Sequence, residues 1–433
     1  MITLYEQYGY NSPRIIKHDI SNYHFVLNSK DYTRYFKGKK GDNVCFKILH
    51  KTIENCSTYL FESSYFIGTD WIVENKLPIH ITSKLNKENK EINYMKMLSD
   101  ALKQTSSIDH LEGLFEIDFN KSMIEIPQSK DLLTPLLVIQ FLHLLKKIVK
   151  KGLKKSYYKV EQNLNARVRG KILINRTVRK NHTKGKKDDT YCAFDIYGID
   201  SIENRILKKT LLFIRKALDN IRGLDQKEII SMYNYILPAF TNVTSHVEDK
   251  ELKHFKANPI FKEYKEALKL SKLILKKYGY NISNVNSIQA KTPPFWIDMS
   301  KLFELYVFSK LKEVFPNRGE VKYQQKIFFR ELDYLLKSDD RKYKMVIDAK
   351  YKPQYANKHP SIKDLRQISG YARMTKVYSE LEIENDKNID CLIIFPNQSL
   401  VKNDFHDVEF NHEDLKVNQY VNIYKIGIAL PEI

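Results

Sequence analysis

In the stretch "YKMVIDAKYKPQY", residues 343–355, Asp348 and Lys350 stand two apart in a run otherwise built of Met345, Val346, Ile347 and Ala349. On a strand alternate side chains share a face, so Val346, Asp348 and Lys350 point one way and Met345, Ile347 and Ala349 the other. A second acid, Asp333, lies on the preceding strand-like run "ELDYLLK", with the turn "SDDRK" between them. Two antiparallel strands joined by so short a turn bring both carboxylates to one end of a sheet, where their repulsion invites a hard divalent cation. Magnesium takes oxygen ligands at about 2.0 to 2.1 Å and retains waters, and Asp333, Asp348 and the Ala349 carbonyl could supply the protein share. Lys350 would face such a water. With its pKa pressed downward by the cation, it could orient or help deprotonate the water and stabilise a phosphorane-like transition state.

Other residues fit the same chemistry. Glu304 sits in a helical run among Leu302, Phe303, Leu305, Tyr306, Val307 and Phe308, and an acid with so few polar neighbours suits a supporting or second-metal role. In "DLRQISGYA", Gln367 and Tyr371 are four apart, hence on one helical face, with Asp364 one turn earlier. They could rest against the site or against a phosphate. Acid-x-Lys spacing also occurs at Glu88/Lys90, Asp225/Lys227, Glu248/Lys250 and Glu320/Lys322, so strand context and not spacing singles out Asp348 and Lys350. Their competing reading is a structural ion pair.

The elements that must position these residues divide the chain in three. Residues 1–125 read as a small β-rich domain ("YHFVLN", "NVCFKILH", "STYLFESSYFIG") broken by turn chemistry such as "KGKKGDN". Residues 126–290 read as mainly helical and basic: apolar residues recur at three and four in Leu137, Phe141, Leu144, Leu145 and Ile148, a helix is expected over 201–217, and 231–280 looks helical again. The polar "NHTKGKKDDT" reads as an exposed loop, and "NISNVNSIQAKTPP", residues 281–294, as a linker. From 291 to 433 the order is helix (from Trp296), three strands, a helix over 362–378 and two strands. The expected class is therefore α+β and multidomain, ending in an α/β core with a mixed sheet flanked by helices.

Composition narrows the partners. The chain has 433 residues and a formal charge of +20, and between 141 and 190 sixteen Lys/Arg face three acids, so +13 of that charge lies in fifty residues. Arg167, Arg169, Lys171, Arg176, Arg179 and Lys180, interleaved with Tyr157 and Tyr158, suit the phosphates of a polyanion. The competing reading is a solvated lysine-rich face. No run spans a bilayer and no leader opens the chain, so a cytoplasmic protein without membrane contact is expected. Cys45, Cys56, Cys192 and Cys391 are too scattered for a zinc site or disulfide framework. There is no GxxxxGK[ST], so the chain itself should bind no nucleotide.

Glu304, Asp333, the Asp348-Ala349-Lys350 triplet and Gln367/Tyr371 together resemble the PD-(D/E)xK nuclease superfamily, with Leu332 where the name's proline would stand. More specifically, "FIGTDWIVENKLPIHITSKL", "VKKGLKKSYY", "NLNARVRGKILINRTVRKN", "SIENRILKKTL", "WIDMSKLFELYV", "LDYLL" and "DAKYK…DLRQISGYA" follow one another as in the McrC family. The resemblance implies the magnesium-dependent DNA endonuclease subunit of a modification-dependent McrBC-type restriction system, using one or two ions. It implies a McrB-like AAA+ GTPase ring as partner, docked on residues 1–125 and stimulated by this chain, with double-stranded DNA as substrate. The family's RG and ENR segments fall on Arg169-Gly170 and Glu203-Asn204-Arg205, which read either as DNA contacts or as a packing framework. A non-catalytic DNA-binding GTPase-activating scaffold and a stand-alone RecB-like repair nuclease are the alternatives.

Overall fold

A computed structural model of the chain describes residues 1–9, 13–15, 31–38, 43–53, 56–85, 91–103, 113–118, 121–127, 133–218, 226–248, 262–281, 289–327, 330–400 and 404–432. The chain is α+β and forms two compact units, Met1–Leu133 with Ser287–Ile433, and Thr134–Asn286. Among the described residues no helix is long and apolar enough to cross a membrane. Cys45, Cys192 and Cys391 are buried and free.

The first unit opens with seven strands: β1 (Ile2–Tyr5), β2 (Arg14–Ile15), β3 (Tyr32–Tyr35), β4 (Val44–Ile53), β5 (Cys56–Ser63), β6 (Phe66–Val73) and β7 (Leu77–Thr82). The expected run "YHFVLN" and most of "KGKKGDN" lie outside the described residues. An antiparallel sheet runs β2-β5-β4-β3, while β1 pairs parallel with β7, itself antiparallel to β6. Phe46, Phe61, Phe66, Ile79 and Ile81 form the core between them, each at most 1% exposed. Helix α1 (Tyr94–Lys103) and strands β8 (Phe115–Ile117) and β9 (Ile124–Pro127) follow.

The second unit begins with α2 (Leu133–Lys151), whose predicted apolar face is buried at Leu137, Phe141, Leu144, Leu145 and Ile148. Then come β10 (Ser156–Asn165), β11 (Lys171–Ile172), α3 (Ile174–Lys180), β12 (Asp189–Gly198), α4 (Ile202–Ala217), α5 (Gln226–Ile236) and α6 (Lys262–Asn281). The helical expectation missed the antiparallel β10-β12-β11 sheet, because its core is only Leu164, Cys192 and Phe194 and most of β10 faces solvent. The loop read from "NHTKGKKDDT" is a short helical turn running into β12. Between α5 and α6, residues 249–261 lie outside the described residues.

The chain then returns to the first unit. The expected linker over 281–294 contains strand β13 (Gln289–Thr292), antiparallel to β9, and the helix expected from Trp296 is first a strand, β14 (Phe295–Asp298), lying between β6 and β8. Pro293 and Pro294 hold this segment extended, and helix α7 (Met299–Val314) starts only where Asp298 accepts the Lys301 N–H. Gly68 admits β14: a Cβ there would lie 2.0 Å from the Phe295 carbonyl oxygen. Strands β15 (Val321–Ile327), β16 (Arg330–Lys337) and β17 (Lys344–Ala349) run antiparallel. Helices α8 (Ile362–Tyr371) and α9 (Thr375–Leu381), broken where one helix was expected, make the crossover to β18 (Asp390–Pro396), parallel to β17 and to β19 (Ile423–Ile428). Residues 1–133 and 287–433 thus fall in one compact unit, with one apolar cluster around the N-terminal strands and another around β15–β19.

Candidate active site

The mixed sheet β15-β16-β17-β18-β19 positions most of the candidate residues. Tyr334 lies opposite Ile347 and Leu335 opposite Val346, so one residue further along Asp333 comes beside Asp348. Val346 packs with Leu365, Ile368 and Val377, so the face carrying Asp348 and Lys350 is the one covered by α8 and α9. Parallel pairing needs such a covering layer, and it dries the site.

Asp348 is 1% exposed, and neither of its carboxylate oxygens accepts a well-directed hydrogen bond. Lys350 Nζ lies 2.8 Å from Asp348 Oδ2 as its ion-pair partner. The same ammonium donates to Gln367 Oε1 at 3.3 Å, and Gln367 Nε2 donates to the Tyr371 hydroxyl at 2.9 Å. The helical pair expected from the four-residue spacing therefore reaches the strand. Asp333 Oδ2 accepts the Ala349 N–H at 2.9 Å. Glu304, part-buried on α7, accepts from the Tyr323 hydroxyl at 3.4 Å through Oε2.

Electrostatics tie the acids together. Burial first, and then the Asp348 and Glu304 charges, push the Asp333 carboxyl well above the ordinary carboxylate range. Burial and the neighbouring Asp298 push Glu304 up to about 8 against the pull of Lys350. Burial works against the Lys350 ammonium, but Asp348 and Asp333 outweigh it and hold it above the usual lysine range. A depressed Lys350 presupposes a cation's charge; carboxylates alone move it the other way. Among the described residues no three Asp, Glu, His or Cys converge as a ready-made metal cage. Magnesium does not need one, since it binds through one or two carboxylates and keeps waters. Lys350 answers one Asp348 oxygen, while Asp333 and Glu304, driven toward protonation by burial and by neighbouring acids, are groups whose ionised forms a cation would favour.

Three contributors escaped the sequence reading. Tyr334, which donates to the Glu304 carbonyl at 2.5 Å, and Tyr323 fix the α7 end of the site, and Asp298 adds charge to it. Strand alternation around Asp333 already sends Tyr334 to the opposite face, toward α7, so that signal was present. Asp364 is buried and held below its ordinary pKa: burial opposes this, but Lys352 at 2.6 Å and the Tyr355 hydroxyl prevail.

In the second unit, Arg167, Arg169, Lys171, Arg176, Arg179 and Lys180 are all exposed on the β10-β12-β11 sheet, its turns and α3. Arg169 stacks 4.4 Å over Phe194, and Arg176 lies 4.7 Å over Tyr191 while pairing with Glu161. Tyr157 and Tyr197 stand on the same sheet at 75% and 59% exposure, their rings 5.1 Å apart. Gly170 has φ +66° and lies so close to β12 that a Cβ would come within 2.5 Å of the Ala193 carbonyl oxygen. The Glu203-Asn204-Arg205 segment is a packing framework. Asn204 is fully buried, donates to the carbonyls of Lys154 and Ile199 and accepts from Tyr264, while Glu203 pairs with Lys154 and Arg205 with Asp200.

A family model described as "McrBC 5-methylcytosine restriction system component" matches residues 72–382. Among solved structures, the chain is similar to one of Thermococcus gammatolerans McrB AAA+ hexamers with bound McrC, at 17% identity and a TM-score of 0.38, over 98% of this chain and 94% of the other. A second, of the Thermococcus gammatolerans McrBC complex, aligns at 17% identity and a TM-score of 0.30 over 75% of this chain and 89% of the other. These scores are too low to equate the folds. No curated protein matches the chain.

Proposed function

The chain belongs to the family of McrBC 5-methylcytosine restriction system components, and from that premise we propose that it is the DNA-cutting subunit of such a system. The mixed sheet with α7 on one side and α8 and α9 on the other is read as a PD-(D/E)xK nuclease core. What carries the proposal is the buried Asp348 carboxylate, unanswered by hydrogen bonds, with Asp333 and Lys350 beside it.

Asp333 and Asp348, with the Ala349 carbonyl, would hold magnesium, and Glu304 would support it or a second ion. Magnesium, when bound, polarises a phosphodiester and acidifies water. The residues' own work is to aim and to balance charge. Asp333 is oriented by the Ala349 N–H, which occupies one carboxylate oxygen and leaves the other toward the site. The Gln367 amide can accept from Lys350 only with its nitrogen turned to Tyr371, so the pair fixes the ammonium in place. A cation held there offsets the negative charge that grows on a phosphate in the transition state. Glu304, pushed up to about 8, holds a proton near neutrality that it can give up as positive charge arrives.

Residues 1–125 are proposed as the docking surface for a McrB-like AAA+ GTPase ring, and the basic sheet of the second unit as a grip on duplex DNA. The lack of a phosphate-binding loop in this chain supports leaving nucleotide hydrolysis to the partner. The test is DNA cleavage by Asp348→Ala with the GTPase present. Loss of cutting with partner binding and GTP turnover retained is expected; cutting at the wild-type rate, or in EDTA, would mean that the site is misassigned.

A further inference from the structure

Glu6, at the end of β1, is 2% exposed and lies in a polar knot far from it in sequence. Its Oε1 accepts from the Tyr351 hydroxyl at 2.9 Å, from Ser83 Oγ at 3.0 Å and from the Lys84 N–H at 3.2 Å, and Ser83 Oγ and Tyr351 Oη are themselves 3.3 Å apart. Lys84 Nζ, also buried, lies 4.7 Å from the centre of the Tyr351 ring. Burying a carboxylate costs several kcal/mol unless donors and a countercharge offset it. Three donors fall on one oxygen with an ammonium nearby, which offsets that cost only in part: the other oxygen has no hydrogen bond and burial still holds the carboxyl above its ordinary range. Such a group is not needed to close a sheet that already has an aromatic and aliphatic core.

What it holds is specific. Tyr351 follows Lys350 directly, and its ring packs on Phe303, the residue before Glu304, with centroids 5.8 Å apart. On the other side, the Lys350 N–H is pinned to the Ile394 carbonyl at 2.8 Å, leaving the residue after it to set how the chain leaves β17. Tyr351, itself next to Lys350, therefore touches the neighbour of Glu304, and its hydroxyl is clamped by the carboxylate that follows β1 and a serine that follows β7.

We propose that Glu6, Ser83 and Tyr351 form a positioning clamp through which the N-terminal sheet sets the geometry of the metal-facing residues Lys350 and Glu304. The inference rests on the reading of Asp333 and Asp348 as a cation site. Residues that orient metal sites through others commonly cost about 10-fold to 100-fold in affinity or activity when removed.

The test uses the full chain. Manganese binding is titrated by electron paramagnetic resonance for Tyr351→Phe, Glu6→Ala and Glu6→Gln, alongside melting temperature and partner-activated cleavage. Tyr351→Phe and Glu6→Ala should raise the half-saturating manganese concentration by about tenfold and slow cleavage similarly. Glu6→Gln keeps the acceptor oxygen and should stay near wild type. If Glu6→Ala does not fold, Ser83→Ala removes one donor and should shift manganese binding in the same direction. Variants that lower the melting temperature while binding manganese as wild type does would overturn the clamp and leave a merely structural knot. Asp348→Ala serves as the reference: if it too binds manganese like wild type, the cation site itself is wrong and the clamp falls with it.

Discussion

At the scale of single residues, the site is built from groups that the fold makes uncomfortable. Asp348 has buried oxygens without hydrogen bonds, and Glu304 and Asp333 are driven toward their protonated forms by burial and by one another. This gives a sign to the pH dependence. The Glu304 carboxyl titrates near 4.5 when unperturbed and at about 8 in the folded chain. Between those values the folded state binds more protons than the unfolded one, so stability falls as pH rises. Without divalent cations, the melting temperature should drop from pH 5 to pH 8.5, and Glu304→Gln should flatten that drop. A melting temperature that rises over the same range would contradict the raised carboxyl. Asp348→Ala should melt lower than wild type in EDTA, because it strips the buried Lys350 ammonium of the carboxylate 2.8 Å away, a loss larger than the relief of its repulsion of Asp333. Much of this was legible: Asp348 and Lys350 on one face, and Asp333 opposite them, follow from period two and a short turn. The direction of the Lys350 shift was not, since it depends on which charges are present.

At the scale of elements, the thin β10-β12-β11 sheet displays arginines and tyrosines; Gly170 lets the chain pass close against β12, and Asn204 ties the Lys154 and Ile199 carbonyls together beside it. If the sheet grips the DNA backbone, each lost phosphate contact should flatten the log-log salt dependence of binding by roughly 0.9 on duplex DNA. Arg167→Ala, Arg176→Ala and Arg179→Ala combined should therefore weaken binding and reduce that slope by up to about threefold this value; Arg176, paired with Glu161, should contribute least. Unchanged affinity and slope would reduce the basic run to a solvated face. The helices of this unit announced themselves through a buried face repeating at three and four. Its sheet was missed although Tyr158, Val160 and Leu164 alternate with exposed residues along β10, because polar residues dominate the strand and the core beneath it is only Leu164, Cys192 and Phe194.

At the scale of the whole molecule, the unit made of Met1–Leu133 and Ser287–Ile433 changes what truncation can do. A cut near residue 290, at the boundary read from the sequence, would divide this unit. Strand β14 lies between β6 and β8, and Phe295 and Trp296 are at most 1% exposed there. Residues 290–433 alone would expose this strand and its aromatic side chains to water, and residues 1–290 would lose the strand that joins β6 to β8. The isolated C-terminal fragment should therefore show no cooperative melting and should aggregate, and co-expression with residues 1–133 should recover soluble material. A sharp, reversible melt of the fragment alone would contradict this dependence.

By itself the sequence determined what is local or periodic: the amphipathic helix over residues 134–151, the acids and lysine of the DAK strand, the Gln367/Tyr371 face, the concentration of charge between 141 and 190, and the ordered motifs that announce the family. Only the tertiary structure decided that β13 and β14 belong to sheets begun more than a hundred residues earlier, that Glu6 closes on Tyr351, and that Asn204 is a strut. Pairings over such separations leave no pattern within a window of sequence, because their partners are chosen by which apolar faces and unsatisfied backbone groups remain when the local elements have formed.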